Sequence, residues 1–82
     1  MRLDKYLKVS RLIKRRTVAN EACDAEKVTV NGRVARASYD VKVGDVITLH
    51  LGGRTLSVEV LAVEDNVAKA DASAMYKEIP SA

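Results

Sequence analysis

Val28-Thr29-Val30-Asn31-Gly32-Arg33-Val34-Ala35-Arg36-Ala37 is the stretch at which the chain changes its period. Val28 and Val30 alternate with Lys27 and Thr29, which places the valines on one face of an extended segment. Asn31-Gly32 supplies two residues that tolerate positive φ, the strongest short signal for a hairpin. Arg33 to Ala37 is the expected return strand.

Upstream of this switch the spacing is helical. Leu3 and Leu7 are four apart and point the same way, while Arg2, Lys5 and Lys8 project from the opposite side. A short amphipathic helix over 2–9 is predicted, with Asp4 in its first turn suited to the positive end of the helix dipole. A second helix over 15–25 gathers Val18, Ala19, Ala22 and Cys23 on one broad face. Thr17, Asn20, Glu21 and Asp24 fall on the other. Arg16 lies at the edge of the apolar stripe, where its head can reach solvent near the first helix. Leu12 and Ile13 between the helices read as a hydrophobic connection.

Downstream the period is mostly two. Val41 to Asp45 is a short extended piece entering a turn. Val46 to Leu51 and Thr55 to Val63 are two further strands, joined through Gly52-Gly53. The Ala-rich stretch Val67 to Lys77 predicts a helix with Ala68, Ala72 and Met75 on an apolar face, and Pro80 ends it. No repeat and no linker divides the chain. The expectation is one domain over 1–82 of the α+β class: two N-terminal helices packed on a small, mostly antiparallel sheet, with a short C-terminal helix.

A domain of 82 residues buries only about 60–65% of its unfolded surface, so its margin of stability is thin. Without Trp or Phe the core must be aliphatic, dominated by Val and Ala. No apolar run approaches the roughly 18–20 residues that cross a bilayer. Arg2, Asp4 and Lys5 make the start too charged for a secretory signal. A lone cysteine, Cys23, makes no internal disulfide and reads as a small buried apolar residue; a reducing, cytoplasmic setting is expected.

The net charge of +3 matters less than its distribution. Residues 1–16 carry seven basic side chains (Arg2, Lys5, Lys8, Arg11, Lys14, Arg15, Arg16) against one acid, Asp4, whereas residues 37–82 carry four against seven. That asymmetry points to a polyanionic partner, against the bland alternative of a solvated helix face. A membrane surface is a poor fit, because the apolar face of the first helix is only Leu3 and Leu7, which the core requires.

RNA duplexes are gripped through phosphates, riboses and loops, since their major groove is too narrow for side chains. A rigid helix bearing Arg2, Lys5 and Lys8 can match spaced phosphates, and the planar fork of Arg16 can bond one phosphate twice. Catalytic constellations are not seen. His50 has no second histidine or cysteine with which to share a metal, and Asp40, Asp45, Glu59, Glu64 and Asp65 are expected in turns and exposed strand positions. With no Gly-rich phosphate loop and no nucleophile motif, no catalytic residue, metal or cofactor is expected.

The order Arg2-Leu3-Asp4-Lys5-Tyr6-Leu7, then Arg16 with Ala19, then Val28-Thr29-Val30-Asn31-Gly32, then Val41-Lys42-Val43-Gly44-Asp45 resembles the S-four (alpha-L) RNA-binding domain family. The resemblance spans 1–51 as a core motif, leaving 52–82 as an extension. With Ala72-Ser73-Ala74-Met75-Tyr76 included, the chain is similar to a stand-alone branch of ribosome-associated quality-control factors and their relative, a small heat-shock ribosome-binding protein.

The resemblance implies a monomeric protein that is not an enzyme. Its implied partners are the large ribosomal subunit carrying peptidyl-tRNA, through large-subunit rRNA and the tRNA, and a tailing partner protein that recruits alanyl-tRNA. The implied role is to hold the tRNA while an untemplated alanine tail is added. It carries binding to Arg2 and Arg16; apart from the resemblance, Lys5 and Lys8 are candidate phosphate contacts on the helix face, Lys14 and Arg15 add attraction beside Arg16, and Arg11 is a further candidate whose side of the loop the sequence leaves open. The Asn31-Gly32 turn becomes an RNA-facing edge beside Arg33 and Arg36. Asp4 is either a lone dipole-stabilising or capping residue, or a group that makes an orienting bond to a neighbouring arginine or to a hydroxyl of the RNA. Tyr6 either stacks on a base or flanks the core.

Two positions depart from the family pattern. Arg15 replaces the usual Ser or Thr before the second helix, at about 1 kcal/mol of lost capping. Glu26 replaces a terminating glycine, so either Glu26 is strained or the helix ends differently. Within the same class, the alternative is the heat-shock relative, which recycles blocked subunits and carries a longer basic tail. In another class, it is a protein-interaction or antitoxin-like module.

Overall fold

The computed structural model describes residues 1–65 and 67–80. Helix α1 spans Leu3–Val9 and helix α2 spans Arg16–Asp24, each about one residue inside the predicted bounds. Leu3, Tyr6 and Leu7 recur at three and four residues and are wholly buried, as that spacing demands. Ala19 and Cys23 form the matching stripe on α2, with Ala22 packed partly against it. Val18, predicted on the same face, is instead exposed.

Neither helix has a side-chain N-cap. In α1 the first two N–H groups are met from elsewhere in the chain: Leu3 N–H donates to the Tyr39 carbonyl at 2.8 Å and Asp4 N–H to that of Ala37 at 3.2 Å. This contact shortens the predicted return strand. Only Arg33–Val34 pairs with the strand before it; Ala35 and Ala37 are buried, and the chain leaves the sheet to cover the start of α1.

Among the described residues the sheet has five antiparallel strands: β1 (Val28–Val30), β2 (Arg33–Val34), β3 (Val46–Leu51), β4 (Arg54–Val60) and β5 (Tyr76–Ile79), in the order β2-β1-β3-β4-β5. The register aligns Val30, Ile47 and Val58 on the face toward the helices and Thr29, Thr48 and Ser57 on the other. Asn31 and Gly32 have φ of 53° and 83°, the pair of positive angles a primed two-residue hairpin needs.

The C-terminal stretch departs from its prediction. Instead of a helix over Val67 to Lys77, a 3-10 helix covers Lys69–Met75 and the chain then becomes β5. Ala72 and Met75 are three apart, and both are buried, which suits three residues per turn. Tyr76–Ile79 pairs with the open edge of β4, so tertiary pairing overrides the alanine-rich helical propensity. β4 ends at Val60, short of the predicted Val63, because the Leu61 and Ala62 N–H groups turn to the Met75 carbonyl.

Both helices end on a charged residue in left-handed conformation: Arg11 (φ 64°) and Glu26 (φ 61°). At Glu26 the bonds are those of a Schellman ending, with Glu26 N–H on the Cys23 carbonyl and Lys27 N–H on that of Ala22. The helix therefore ends where a glycine would end it, and Glu26 bears the strain. One apolar cluster runs from Leu3 through Val28, Ile47, Leu49, Val58 and Val60 to Met75. Each large aliphatic side chain in it contributes on the order of 1.5–3 kcal/mol.

Candidate nucleic-acid interface

Asp4 sits on the first turn of α1, with only 4% of its side chain exposed. A carboxylate so placed needs donors, and four groups supply them. Lys5 N–H donates to Oδ1 at 2.8 Å and Asn20 Nδ2 to Oδ2 at 3.4 Å. Arg2 donates through Nε at 3.2 Å and Nη2 at 3.5 Å. Arg16 does the same across the two oxygens, through Nε at 3.3 Å and Nη2 at 3.5 Å. Burial pushes the Asp4 carboxyl upward, but the bonds from Arg2, Arg16, Asn20 and the Lys5 amide outweigh it and hold it below the ordinary carboxylate range.

Two arginines fourteen residues apart in the chain thus share one carboxylate, which leaves a net positive charge at the α1–α2 junction. Their side chains remain 51% and 47% exposed, so the pair is held from behind and open in front. Asp4 is therefore not a lone carboxylate but one bonded to two neighbouring arginines. Asn20, not singled out in the sequence, joins this group; its position four residues after Arg16 on α2 was the available signal.

Arg36 lines a cleft with Arg2 and Asn20, and lines another with Arg33 and Tyr39, so hairpin and helices meet along adjoining surface. Lys8, Arg11 and Lys14 gather elsewhere, around an open cleft of ≈ 550 Å³ with Asp65, Val67 and Ala68. Lys5 is tied to Asp65 at 2.9 Å, an exposed ion pair worth little by itself. Arg15 is exposed at the start of α2. Of the eleven candidate RNA-contact residues, Arg2, Arg16, Arg33 and Arg36 thus lie along adjoining clefts, and Lys8, Arg11 and Lys14 line a separate one.

Asn31 occupies the expected hairpin turn and is exposed, and its side chain is tied to the fold. Its Nδ2 donates to Asp45 at 3.1 Å and its Oδ1 accepts from Val46 N–H at 2.9 Å, so its amide is engaged within the fold and Gly32 offers backbone only. Asp45, predicted in an exposed turn, is buried, and it also accepts from Tyr39 Oη and Lys42 N–H at 2.9 Å each. Tyr6 is fully buried with its hydroxyl on the Met75 carbonyl at 2.8 Å, which excludes it from stacking on a base. Cys23 is buried, and burial followed by the nearby Asp4 and Asp24 charges pushes its thiol up to about 11, far from a nucleophile's range.

Among the described residues, no group of three or more His, Cys, Asp or Glu could hold a metal, and no helix is long and apolar enough to cross a membrane. A helix pair, a hairpin and an arginine-bearing junction together define a small RNA-binding module.

Comparison with known proteins is consistent with that class. Residues 1–47 match the model of the S4 domain family. The chain is 52% identical to the RQC P-site tRNA stabilizing factor of Streptococcus pneumoniae over 96% of this chain and 90% of the relative, and 50% identical to the Bacillus subtilis protein of that name over 93% and 88%. A trimeric structure of heat shock protein 15 from Vibrio cholerae superposes with a TM-score of 0.89 at 31% identity, over 96% of this chain and 81% of that one. The chain belongs to the S4 domain family and, within it, to the group of the RQC P-site tRNA stabilizing factors.

Proposed function

We propose that this protein binds a stalled large ribosomal subunit and stabilises P-site peptidyl-tRNA there, so that alanine tailing of the nascent chain can proceed. Relatives sharing half of the sequence over nearly its whole length are named as RQC P-site tRNA stabilizing factors, which supports the tRNA part of this reading. The observation in the molecule that supports it is the Arg2–Asp4–Arg16 group, two open guanidiniums fixed at a helix junction. Its action is added contact and not a chemical step. Arg2 and Arg16 grip phosphates of rRNA and tRNA, Arg33 and Arg36 extend that track, and Lys8, Arg11 and Lys14 attract the backbone from the second cluster. A tailing partner works beside it, in the cytoplasm.

The test is fractionation of lysate on a sucrose gradient after stalling is induced. The wild-type protein is expected with the free large subunit, and the Arg2→Ala/Arg16→Ala protein at the top of the gradient with unchanged circular dichroism. Wild-type protein staying at the top would overturn the assignment. Contact with about five phosphates also predicts a fall in log affinity of roughly 0.7–0.9 per phosphate per decade of salt. A recycling role like that of the heat-shock relative is favoured by the close superposition, yet identity to the Haemophilus influenzae homolog is 32% against 52% for the tRNA-stabilizing group. Tailing assays with the purified protein separate the two.

A further inference from the structure

A guanidinium has two edges that can form a fork. The side edge presents Nε and Nη2, the end edge Nη1 and Nη2, and each uses two of the five N–H donors of the group. Both Arg2 and Arg16 meet Asp4 by the side edge. Among the described residues each therefore keeps its whole end edge, with the geometry that pairs two parallel bonds to a phosphate. The carboxylate that sets this is buried, and Asn20 and the Lys5 amide fix its own orientation. Free arginine side chains lose much rotamer freedom when they are fixed. Here most of that loss is incurred on folding, before any RNA arrives.

We infer that Asp4 is a positioning residue for RNA binding: a buried anion that strengthens the grip on a polyanion by locking Arg2 and Arg16 side-edge inward and end-edge outward. The inference rests on the proposal that these two arginines contact RNA phosphates. It runs against simple electrostatics, by which removing a negative charge from the interface raises affinity for RNA. Asparagine keeps the shape of Asp4 but offers one acceptor oxygen for two guanidiniums, and turns an N–H₂ group toward the other. Lysine in place of either arginine keeps the charge but has no second edge.

The test measures binding to isolated large subunits carrying peptidyl-tRNA. Asp4→Asn is expected to weaken binding by roughly tenfold or more, the worth of charge-assisted bonds, although the protein gains a positive charge. Arg2→Lys/Arg16→Lys is expected to weaken it similarly at unchanged charge. In that lysine background Asp4→Asn reverses sign and tightens binding, because there Asp4 acts only as a misplaced negative charge. Such a reversal is a readout that a purely structural role would not move. Equal or tighter binding by folded Asp4→Asn in the arginine background overturns the inference, as does an equal loss in both backgrounds. Should Asp4→Asn fail to fold, the lysine pair still decides, since full affinity there removes the need for two edges. Arg2→Ala/Arg16→Ala separates the levels. Unchanged binding in it defeats the phosphate-contact reading itself, whereas binding lost there but kept in Asp4→Asn defeats only the role of Asp4.

Discussion

Two buried aspartates organise two regions of this protein, and they do opposite work with the same chemistry. Asp4, at the α1–α2 junction, gathers two arginines whose charged heads still face solvent. Asp45, between the hairpin and β3, gathers an amide, a phenol and a backbone N–H, and its donors Asn31 and Tyr39 carry no charge. The first leaves a residual positive charge fixed in direction; the second leaves a stitched loop. What separates them is the donor set. A carboxylate ringed by neutral donors consolidates a fold, while one shared by two cations prepares a surface.

Mutating Asp45 is expected to have the largest effect on stability. Asp45→Ala strands the Asn31 amide, the Tyr39 hydroxyl and the Lys42 N–H, and is expected to destabilise the fold by about 1–3 kcal/mol in urea unfolding. RNA affinity of the folded fraction is expected to fall far less than in Arg2→Ala/Arg16→Ala. An equal fall in both would erase the distinction between the two regions.

Acid is expected to act on both sites in the same direction. Burial raises each carboxyl, but at Asp45 the Lys42 amide, Asn31 and Tyr39 outweigh it, as Arg2 and Arg16 do at Asp4, so both lie below the ordinary 3.8. The unfolded chain then binds protons more readily than the folded one. Their contribution is therefore full above about pH 4 and is lost as pH falls from 3.8 through the lower folded values. Denaturant midpoints measured downward from about pH 5 are expected to drop over that window, with a smaller drop in Asp45→Asn.

The helix ends give the smallest and most discriminating effect. Glu26→Gly relieves a left-handed residue and is expected to stabilise by about 0.5–1 kcal/mol with RNA binding unchanged. Arg11→Gly is expected to stabilise by a similar amount but to make the salt dependence shallower by roughly 0.7–0.9, one phosphate contact. If Arg11→Gly leaves the salt slope untouched, the Lys8–Arg11–Lys14 cleft is not part of the interface.

Much of this was legible along the chain. The spacing of Leu3 and Leu7 and of Ala19 and Cys23, the Asn31-Gly32 turn and the alternation of Val28, Val30, Ile47 and Leu49 pointed to the helices, the hairpin and the inner face of the sheet, because local periodicity records which side is buried. The concentration of cations in residues 1–16 marked the candidate interface for the same local reason. The end of the chain was not legible: Ala-rich composition favours a helix, and only the unpaired edge of β4 draws Tyr76–Ile79 into a strand. The partners of Asn31 and Asp45 were hidden as well, since fourteen residues separate two groups that pack only once β3 lies beside β1.

By itself, then, the sequence determined the class of the protein, its α+β plan and the sign of its partner, since composition, period and charge are properties of neighbouring residues. Tertiary structure decided which cations act together. Arg2 and Arg16 become a pair only because α2 folds back across α1 and brings both guanidiniums to the one buried carboxylate between them. No spacing along a chain specifies that meeting; it is fixed by packing, where a buried charge must find its donors wherever the fold supplies them.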